Sequence, residues 1–228
     1  MLRLTLVANV VVAFVAAQLY AHAGHERKAP PENAIILMDG KDLSKWQDRK
    51  SGGEANWKLV EDGAAEVNGG DIVTRDKFKD FMIHVEFRTP IEDDAKQGQH
   101  RGNSGVYLQG RYEIQVLESY GLEPMKNGCG SIYNVKAPDK NMAKPPGEWQ
   151  TYQILFRAAR FDDQGNKTEN ARVTVFHNGE KIHDDVEIPG STGSGDTETA
   201  DNTGPIRLQD HGHKVQYRNI WLVPLKSE

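Results

Sequence analysis

The sequence predicts an all-β fold in which two antiparallel sheets pack as a sandwich of the jelly-roll kind. Short runs rich in β-branched and aromatic residues recur along the chain, separated by Gly, Asn, Asp and Pro. Almost no stretch repeats its apolar residues at helical spacing. About a dozen such runs in one domain fit two packed sheets better than a small barrel.

The predicted strands follow in chain order. Residues 81–88, "FMIHVEFR", alternate between apolar and polar side chains, as expected of a strand with one face in the core. A hairpin is predicted around Gly110, and a second one at Asn178-Gly179, a type I′ turn signal. Residues 189–204 are too polar and Gly-rich to be expected to pack. The remaining predicted strands lie in "WQTYQILFR", "GPIRLQDHG" and "YRNIWLVPL".

The first residues predict export. Residues 1–23 combine a basic start, a short apolar run and a small-x-small site, which is typical of a secretory signal peptide cleaved on the way to the periplasm or the exterior. Residues 24–33 are polar and are predicted to form a linker. Residues 34–228 are predicted to form a single domain, and no later run is apolar enough to suggest a membrane span.

Composition narrows the function classes. The formal net charge is −5 and no basic cluster is present, so nucleic acid is not a predicted partner. Cys129 is the only cysteine, so the chain has no internal disulfide, and we interpret this residue as a small buried core side chain.

Polar residues alternate with the core positions on several predicted strands. Amide, guanidinium and carboxylate groups with an aromatic ring match the hydroxyls and C–H faces of a sugar. We therefore predict a carbohydrate-binding platform, with an ordinary solvated sheet as the alternative. Its members are His84, Glu86 and Arg88; Tyr107 and Gln109; Glu113 and Gln115; and Arg207 and Gln209.

Two further residues outside these strand positions are predicted to contact the substrate. Asn103 ends the long loop that starts at Ile91, and Trp149 follows "KPPGE" where a groove edge is expected. Both are taken as candidate substrate-binding residues.

The stretch "YEIQVLE" carries two acidic residues beside this platform. Glu113 and Gln115 share a strand face, and a β-bulge would bring Glu118 to the same side. The pattern E-x-Q-x-x-E resembles the E-x-D-x-x-E signature of sandwich-fold glucanases, in which two carboxyls lie about 5–5.5 Å apart. Gln115 stands where the glucanase signature has its Asp, and an amide cannot share a proton as a carboxylate can. The pattern therefore does not predict the usual double-displacement mechanism.

A closer resemblance covers nearly the whole chain after residue 33. In order, it rests on "LMDGKDLSKW", "WKLVEDGA", "GGDIVTRDKFKDFMIHVEFR", "GNSGVYLQGRYEIQVLESYG", "KPPGEWQTYQILFRAARFD", "NARVTVFHNG" and "GPIRLQDHGHKVQYRNIWL". These blocks resemble the 3-keto-disaccharide hydrolase domain family, once called domain of unknown function 1080. The resemblance implies the concanavalin A-like lectin/glucanase sandwich and a carbohydrate substrate.

The chemistry that this resemblance implies is an elimination. A ketone at C3 acidifies the C2 proton, so a base removes it, the C1–O bond breaks, and water adds to the resulting enone. We predict Glu113 as the base, Glu118 as its partner and His211, with His213 nearby, as the acid. We predict that Arg111, Gln115 and Arg207 stabilise the oxyanion or the sugar hydroxyls.

The cofactor requirement stays open at this point. A divalent metal would polarise a C3 ketone, and Glu86, Glu113, Asp210 and His211 offer ligand atoms. No recognised ligand spacing is present, and Asp39 in "MDG" is a weak contributor to a calcium site.

Three functions remain in competition. The first is an exported glycoside-cleaving enzyme whose keto substrate comes from an upstream sugar oxidoreductase. The second is a non-catalytic carbohydrate-binding module on the same sandwich. The third is a cell-surface interaction domain without a sugar ligand. Clustered carboxylates favour the enzyme, because a binding module does not need them.

Overall fold

The computed structural model describes residues 28–92 and 98–226. Within them the chain forms two antiparallel sheets, which confirms the predicted sandwich. The predicted signal peptide lies outside the described residues, and no described helix has the length and apolarity needed to cross a bilayer.

The larger sheet has eight strands in the order β13-β12-β9-β6-β15-β4-β3, with β1 also paired to β15. Its strands are β1 (Ile35–Met38), β3 (Lys58–Val60), β4 (Ala64–Glu66), β6 (Phe81–Arg88), β9 (Gln150–Arg157), β12 (Ala171–His177), β13 (Glu180–Ile188) and β15 (Gln216–Pro224).

The smaller sheet has five strands in the order β2-β5-β14-β7-β8. They are β2 (Trp46–Asp48), β5 (Ile72–Thr74), β7 (Ser104–Leu108), β8 (Tyr112–Val116) and β14 (Arg207–Leu208). A separate two-stranded ribbon joins β10 (Arg160–Phe161) and β11 (Lys167–Glu169), and short 3₁₀ helices cover Glu61–Gly63 and Gly98–His100.

The core lies between the two sheets and follows the predicted alternation. Side chains from β6 meet those of β7, β8 and β14 in one buried apolar cluster. Burial of this apolar surface is the main force that holds the sheets together. The inward residues of these four strands include Phe81, Ile83, Val85, Phe87, Val106, Leu108, Ile114, Val116 and Leu208.

Both predicted hairpins are confirmed. β7 pairs with β8 across the three residues 109–111, and the φ angles of Gln109 and Gly110 are +55° and +69°. β12 pairs with β13 across Asn178 and Gly179, at +51° and +84°. At the two-residue turn Asn178-Gly179, positive φ at both central residues is the predicted type I′ geometry, which matches the natural twist of the paired strands.

Candidate active site

One row of side chains crosses three strands of the smaller sheet. Glu113 of β8 lies opposite Tyr107 of β7, and Tyr107 lies opposite Arg207 of β14. All three alternate with core residues, as predicted, and so project from the outer face of the sheet. The register therefore brings a carboxyl, a phenol and a guanidinium together.

A second row runs beside the first. Gln115 lies opposite Gly105, and Gln209, just beyond β14, donates its backbone N–H to the Gly105 carbonyl at 3.0 Å. The missing side chain of Gly105 leaves the space that the Glu113 carboxyl fills. A Cβ atom at position 105 would lie 2.5 Å from Glu113 Oε1.

Four members of these rows, Tyr107, Glu113, Gln115 and Gln209, form the floor of a cavity of about 220 Å³. Its walls come from segments outside the sheet: the Gly98–His100 turn, the irregular segment 121–148 and the segment 189–204. The lining residues are Gln99, Asn103, Tyr107, Glu113, Gln115, Tyr133, Gly193, Ser194, Gln209 and His211.

Residues 189–204 are mostly exposed, in line with the prediction, but part of the segment packs against the smaller sheet. Thr192 is buried, and its hydroxyl accepts the Glu113 backbone N–H at 2.7 Å. Arg207 donates to the carbonyl and to the hydroxyl of Ser194, each at 2.9 Å. Arg111 donates to three more oxygens of the segment. A polar segment packs when its polar groups find partners, and composition does not reveal those partners.

Glu113 is the central ionisable group of the cavity. It is 3% exposed, and Tyr107 donates a hydrogen bond of 2.7 Å to its Oε2 atom. Burial raises the pKa of Glu113 to about 7, although the Tyr107 hydrogen bond and the charge of Arg207 act in the opposite direction. A carboxyl with this pKa is suited to accept a proton near neutral pH.

Tyr107 is surrounded by polar groups on several sides. Its hydroxyl lies 3.1 Å from Ser194 Oγ and accepts a hydrogen bond of 3.3 Å from Gln209 Nε2. The guanidinium of Arg207 lies over the ring, 4.1 Å from the centroid. Arg207 is in turn paired with Asp71 at 2.6 Å, which fixes it beneath the site.

Amide groups supply the neutral hydrogen-bonding capacity. With Nε2 turned toward Glu113, Gln115 donates to Glu113 Oε1 and to the Ser104 carbonyl, each at 2.9 Å. Asn103 donates to the Gln99 carbonyl at 2.9 Å, which ties the wall to the floor. Gln209 Oε1 is buried without a hydrogen-bond partner among the described residues, so this acceptor is unsatisfied within the protein.

The predicted partner carboxylate does not join Glu113. Strand β8 ends at Val116 and pairs with β7 without a register shift, so the predicted bulge in "VLE" is absent from this pair. Glu118 instead pairs with Arg101 at 2.7 Å and does not line the cavity.

Glu86 and Trp149 also lie elsewhere, because Glu86 is on β6 and Trp149 directly precedes β9, and both strands belong to the larger sheet. The prediction that β6 shares a platform with β7, β8 and β14 is therefore wrong. His84 and Arg88, which are also on β6, do not belong to the platform either. Glu86 accepts hydrogen bonds from Arg218 and Asn219, each at 2.7 Å. The Trp149 ring stacks on the guanidinium of Arg218, 3.9 Å from the centroid.

Two other predicted substrate-binding residues organise the backbone instead. Gln109 sits in the β7–β8 turn and donates to the carbonyls of Phe78, Lys79 and Asn202. Arg111 donates to Gln109 Oε1 and to the segment 189–204. Strand alternation does not apply within a turn, so the predicted outward direction failed there.

His211 is exposed where it lines the cavity. His213 is buried, with Nδ1 2.8 Å from Glu92 Oε2, away from the cavity lining. The proposed metal ligands do not converge, because Glu86 is on the other sheet. Among residues 28–92 and 98–226, no group of three His, Cys, Asp or Glu side chains is arranged to hold a metal ion.

Sequence reasoning missed several residues of the site. Gly105 carries a usable signal, because a glycine on the polar face of a strand often marks a close approach. Gln99, Gly193 and Ser194 carry no such signal, because the tertiary structure alone brings their segments to the sheet.

A larger groove of about 470 Å³ lies near β2 and β3, lined in part by Trp46, Trp57 and Arg75. Both indole N–H groups are bonded to backbone carbonyls within the fold, at 2.7 Å each. Because the smaller cavity holds a buried carboxyl of raised pKa, it is the better candidate site.

Comparison with known proteins connects this cavity to a family. Residues 33–223 match the family described as the 3-keto-alpha-glucoside-1,2-lyase-like domain. The chain belongs to this family. The match spans both sheets and all of the lining residues, and it confirms the resemblance drawn from the sequence blocks. This membership identifies a carbohydrate-active, hydrolase-like protein.

Individual relatives agree with this membership. A 3-keto-disaccharide hydrolase of Bacteroides thetaiotaomicron is 26% identical over 227 residues, which cover 82% of this chain and 76% of that protein. A crystal structure of a candidate glycosyl hydrolase from Parabacteroides distasonis is 39% identical with a TM-score of 0.77, covering 86% of this chain and 85% of that one. A second one from the same organism, 20% identical with a TM-score of 0.63, covers 87% of this chain and 99% of that one and shares the fold.

Proposed function

We propose that this protein cleaves the glycosidic bond of 3-keto-disaccharides or related 3-keto-glycosides, with Glu113 as the base. Glu113 removes the proton from C2, which the neighbouring C3 ketone makes acidic. The electrons form a C1=C2 double bond, and the glycosidic oxygen leaves from C1. Water then adds to C1 of the enone, and the net result is hydrolysis.

The observation that carries this proposal is the state of Glu113. It is the floor carboxyl of a cavity lined mostly by neutral polar groups, and burial raises its pKa to about 7. Elimination needs one strong base and no nucleophile at C1, so a single carboxyl suffices. The position of Glu118, paired with Arg101 outside the cavity lining, fits this chemistry better than a two-carboxylate mechanism.

The cavity also suits one sugar ring. Its 220 Å³ is below the roughly 300–1,000 Å³ of sites that enclose a drug-sized ligand. The keto ring therefore occupies the cavity, and the leaving group lies toward the exposed His211. The unsatisfied Gln209 Oε1 then accepts a hydrogen bond from a sugar hydroxyl.

The names of the family and of the Bacteroides relative support the substrate class. A 3-keto sugar arises by oxidation of a C3 hydroxyl, so we propose an upstream sugar oxidoreductase as its source. We also propose that residues 1–23 direct export, which the amino-terminal sequence of the secreted protein tests.

The central experiment compares two disaccharides with the purified chain. We expect monosaccharide release from the 3-keto disaccharide and none from its unoxidised parent, because only the ketone acidifies C2. Parallel assays with and without a chelator determine whether a metal ion contributes.

The matched variants are Glu113→Gln, expected to be inactive, and Glu118→Gln, expected to be active. Binding of both disaccharides without any product, in the wild-type chain, would instead support the non-catalytic binding module.

A further inference from the structure

We propose that Tyr107 is a second catalytic residue of this site, which protonates the glycosidic oxygen as it leaves and recovers its proton from Glu113. This inference rests on the proposed function, since it assigns the proton donor for the same elimination. The sequence prediction assigned that task to His211.

The contact between the two groups is direct and is set by strand register. Tyr107 and Glu113 are cross-strand partners, and the phenolic oxygen lies 2.7 Å from Glu113 Oε2. The other carboxyl oxygen, Oε1, faces Gln115 and the space above Gly105. Thus one carboxyl contacts both the cavity and the phenol, as a proton relay requires.

The surroundings of the phenol stabilise the charge that it carries during transfer. Gln209 Nε2 and Ser194 Oγ lie 3.3 and 3.1 Å from the oxygen, and the Arg207 guanidinium stacks on the ring. Fixed donors and a cation aimed at developing negative charge are the usual means of electrostatic catalysis.

The resting protonation state agrees with a donor role. Burial and the nearby Glu113 carboxylate raise the pKa of Tyr107 above its ordinary value, so the phenol is protonated before the reaction. Once Glu113 takes the C2 proton, its negative charge disappears and no longer raises the pKa of Tyr107, so the phenol gives up its proton more readily.

The protons and electrons balance within this pair. The C2–H bond breaks and its proton goes to Glu113, while its electrons form the C1=C2 double bond. The C1–O electrons go to the leaving oxygen, which takes the phenolic proton. Tyr107 then receives the proton from Glu113, and both side chains return to their starting states without an external acid or base.

The test uses 3-keto-glucosides with two leaving groups, a methyl alcohol and a 4-nitrophenol. Tyr107→Phe keeps the ring over Arg207 and removes only the hydroxyl. We expect kcat/KM to fall about 1000-fold for the methyl glycoside and less than about 10-fold for the nitrophenyl glycoside, because only the poor leaving group needs a proton. Asn103→Ala is expected to reduce both substrates by similar factors, because Asn103 lines the cavity but is bonded to the Gln99 carbonyl rather than to the phenol.

Equal losses for the two leaving groups in Tyr107→Phe would overturn the relay. It would also be overturned if His211→Asn showed the leaving-group dependence instead. Thermal unfolding of each variant establishes that the fold is intact.

A second measurement separates this proposal from the function on which it rests. In D2O, Glu113 alone should exchange the C2 proton of a 3-keto-glucoside. Tyr107→Phe should retain this exchange while methyl glycoside cleavage falls, when measured well above the pH at which Glu113 ionises. If Tyr107→Phe loses both exchange and cleavage, the proposed role of Tyr107 as proton donor is wrong, while the proposed function of the wild-type protein still stands. A wild-type chain that neither exchanges nor cleaves refutes both proposals.

Discussion

Each sheet buries a carboxyl on the face that turns away from the shared core: Glu113 on the smaller sheet and Glu86 on the larger one. Both are 3% exposed, yet their environments differ. Burial alone raises the pKa of Glu86, but the neighbouring His84, Asn219 and Arg218 side chains outweigh burial and lower it to about 2. Burial prevails at Glu113, whose pKa is about 7.

The difference follows from the charge of the donors that each carboxylate receives, because each receives two. Arg218 donates to one oxygen of Glu86 and Asn219 to the other, so Glu86 stays ionised and acts in a structural ion pair. Glu113 accepts hydrogen bonds only from neutral donors, the phenol of Tyr107 and the amide of Gln115. The nearby cation, Arg207, instead contacts Asp71 and Ser194. A buried glutamate is thus structural where a cation neutralises it, and available for proton transfer where neutral groups surround it.

The largest expected effect is the loss of activity in Glu113→Gln. We expect kcat to fall about 1000-fold or more, because the base is removed. The raised pKa means that stability falls as pH rises from the ordinary carboxyl range through about 7, so the neutral amide removes this cost. Thermal unfolding at alkaline pH should therefore show no loss of stability in this variant. An active Glu113→Gln protein would show that Glu113 is not the base, and the functional contrast between Glu113 and Glu86 would be wrong.

Glu86→Gln should show the reverse behaviour. Removing the charge leaves Arg218 buried without its main partner, at a cost of roughly 3 kcal/mol in the free energy of unfolding. The lowered pKa of Glu86 means that its contribution is present above the ordinary carboxyl pKa and is lost as pH falls through about 2.

Urea unfolding measures the cost of Glu86→Gln, with Glu169→Gln as a control for an exposed pair, expected to cost below about 1 kcal/mol. Activity per folded molecule should be unchanged. A stable Glu86→Gln with lost activity would contradict the structural role.

Gly105→Ala tests how the Glu113 carboxyl is accommodated. The new methyl group would lie 2.5 Å from Oε1 and displace the base, so kcat/KM should fall about 100-fold. Gly190→Ala is a matched control, because a Cβ at that position contacts nothing within 4 Å. Similar activities for the two variants would show that the carboxyl is not held where the register places it.

The pH profile provides a further test. Because only ionised Glu113 accepts the C2 proton, kcat/KM should fall about tenfold per pH unit below a pKa of about 7. If kcat/KM instead begins to fall only near the ordinary carboxyl pKa, Glu113 is better solvated than its burial implies. The difference in pKa between Glu113 and Glu86 would then be smaller.

The smallest effect is expected for Glu118→Gln. Its pairing with Arg101 is partly exposed and contributes about 0–1 kcal/mol to the free energy of unfolding. Because Glu118 does not line the cavity, kcat should change less than about threefold. A loss comparable with that of Glu113→Gln would restore the two-carboxylate mechanism suggested by E-x-Q-x-x-E.

Much of the fold could be predicted because it depends on local patterns. The strict alternation in "FMIHVEFR" identified the core face of β6, and Asn178-Gly179 identified a type I′ hairpin. The row formed by Glu113 and Tyr107 was also predictable, since a hairpin turn sets the register of its two strands.

The sequence by itself determined the two-sheet class, the family and the outward direction of Glu113, Tyr107 and Arg207, because side-chain alternation and turn geometry are local properties. Only the tertiary structure decided that β6 joins the other sheet and that Glu118 pairs with Arg101. It also decided that residues 189–204 form a wall of the cavity. The physical reason is that sheet membership and long-range polar pairing depend on contacts between distant residues, which leave no periodic signal along the chain.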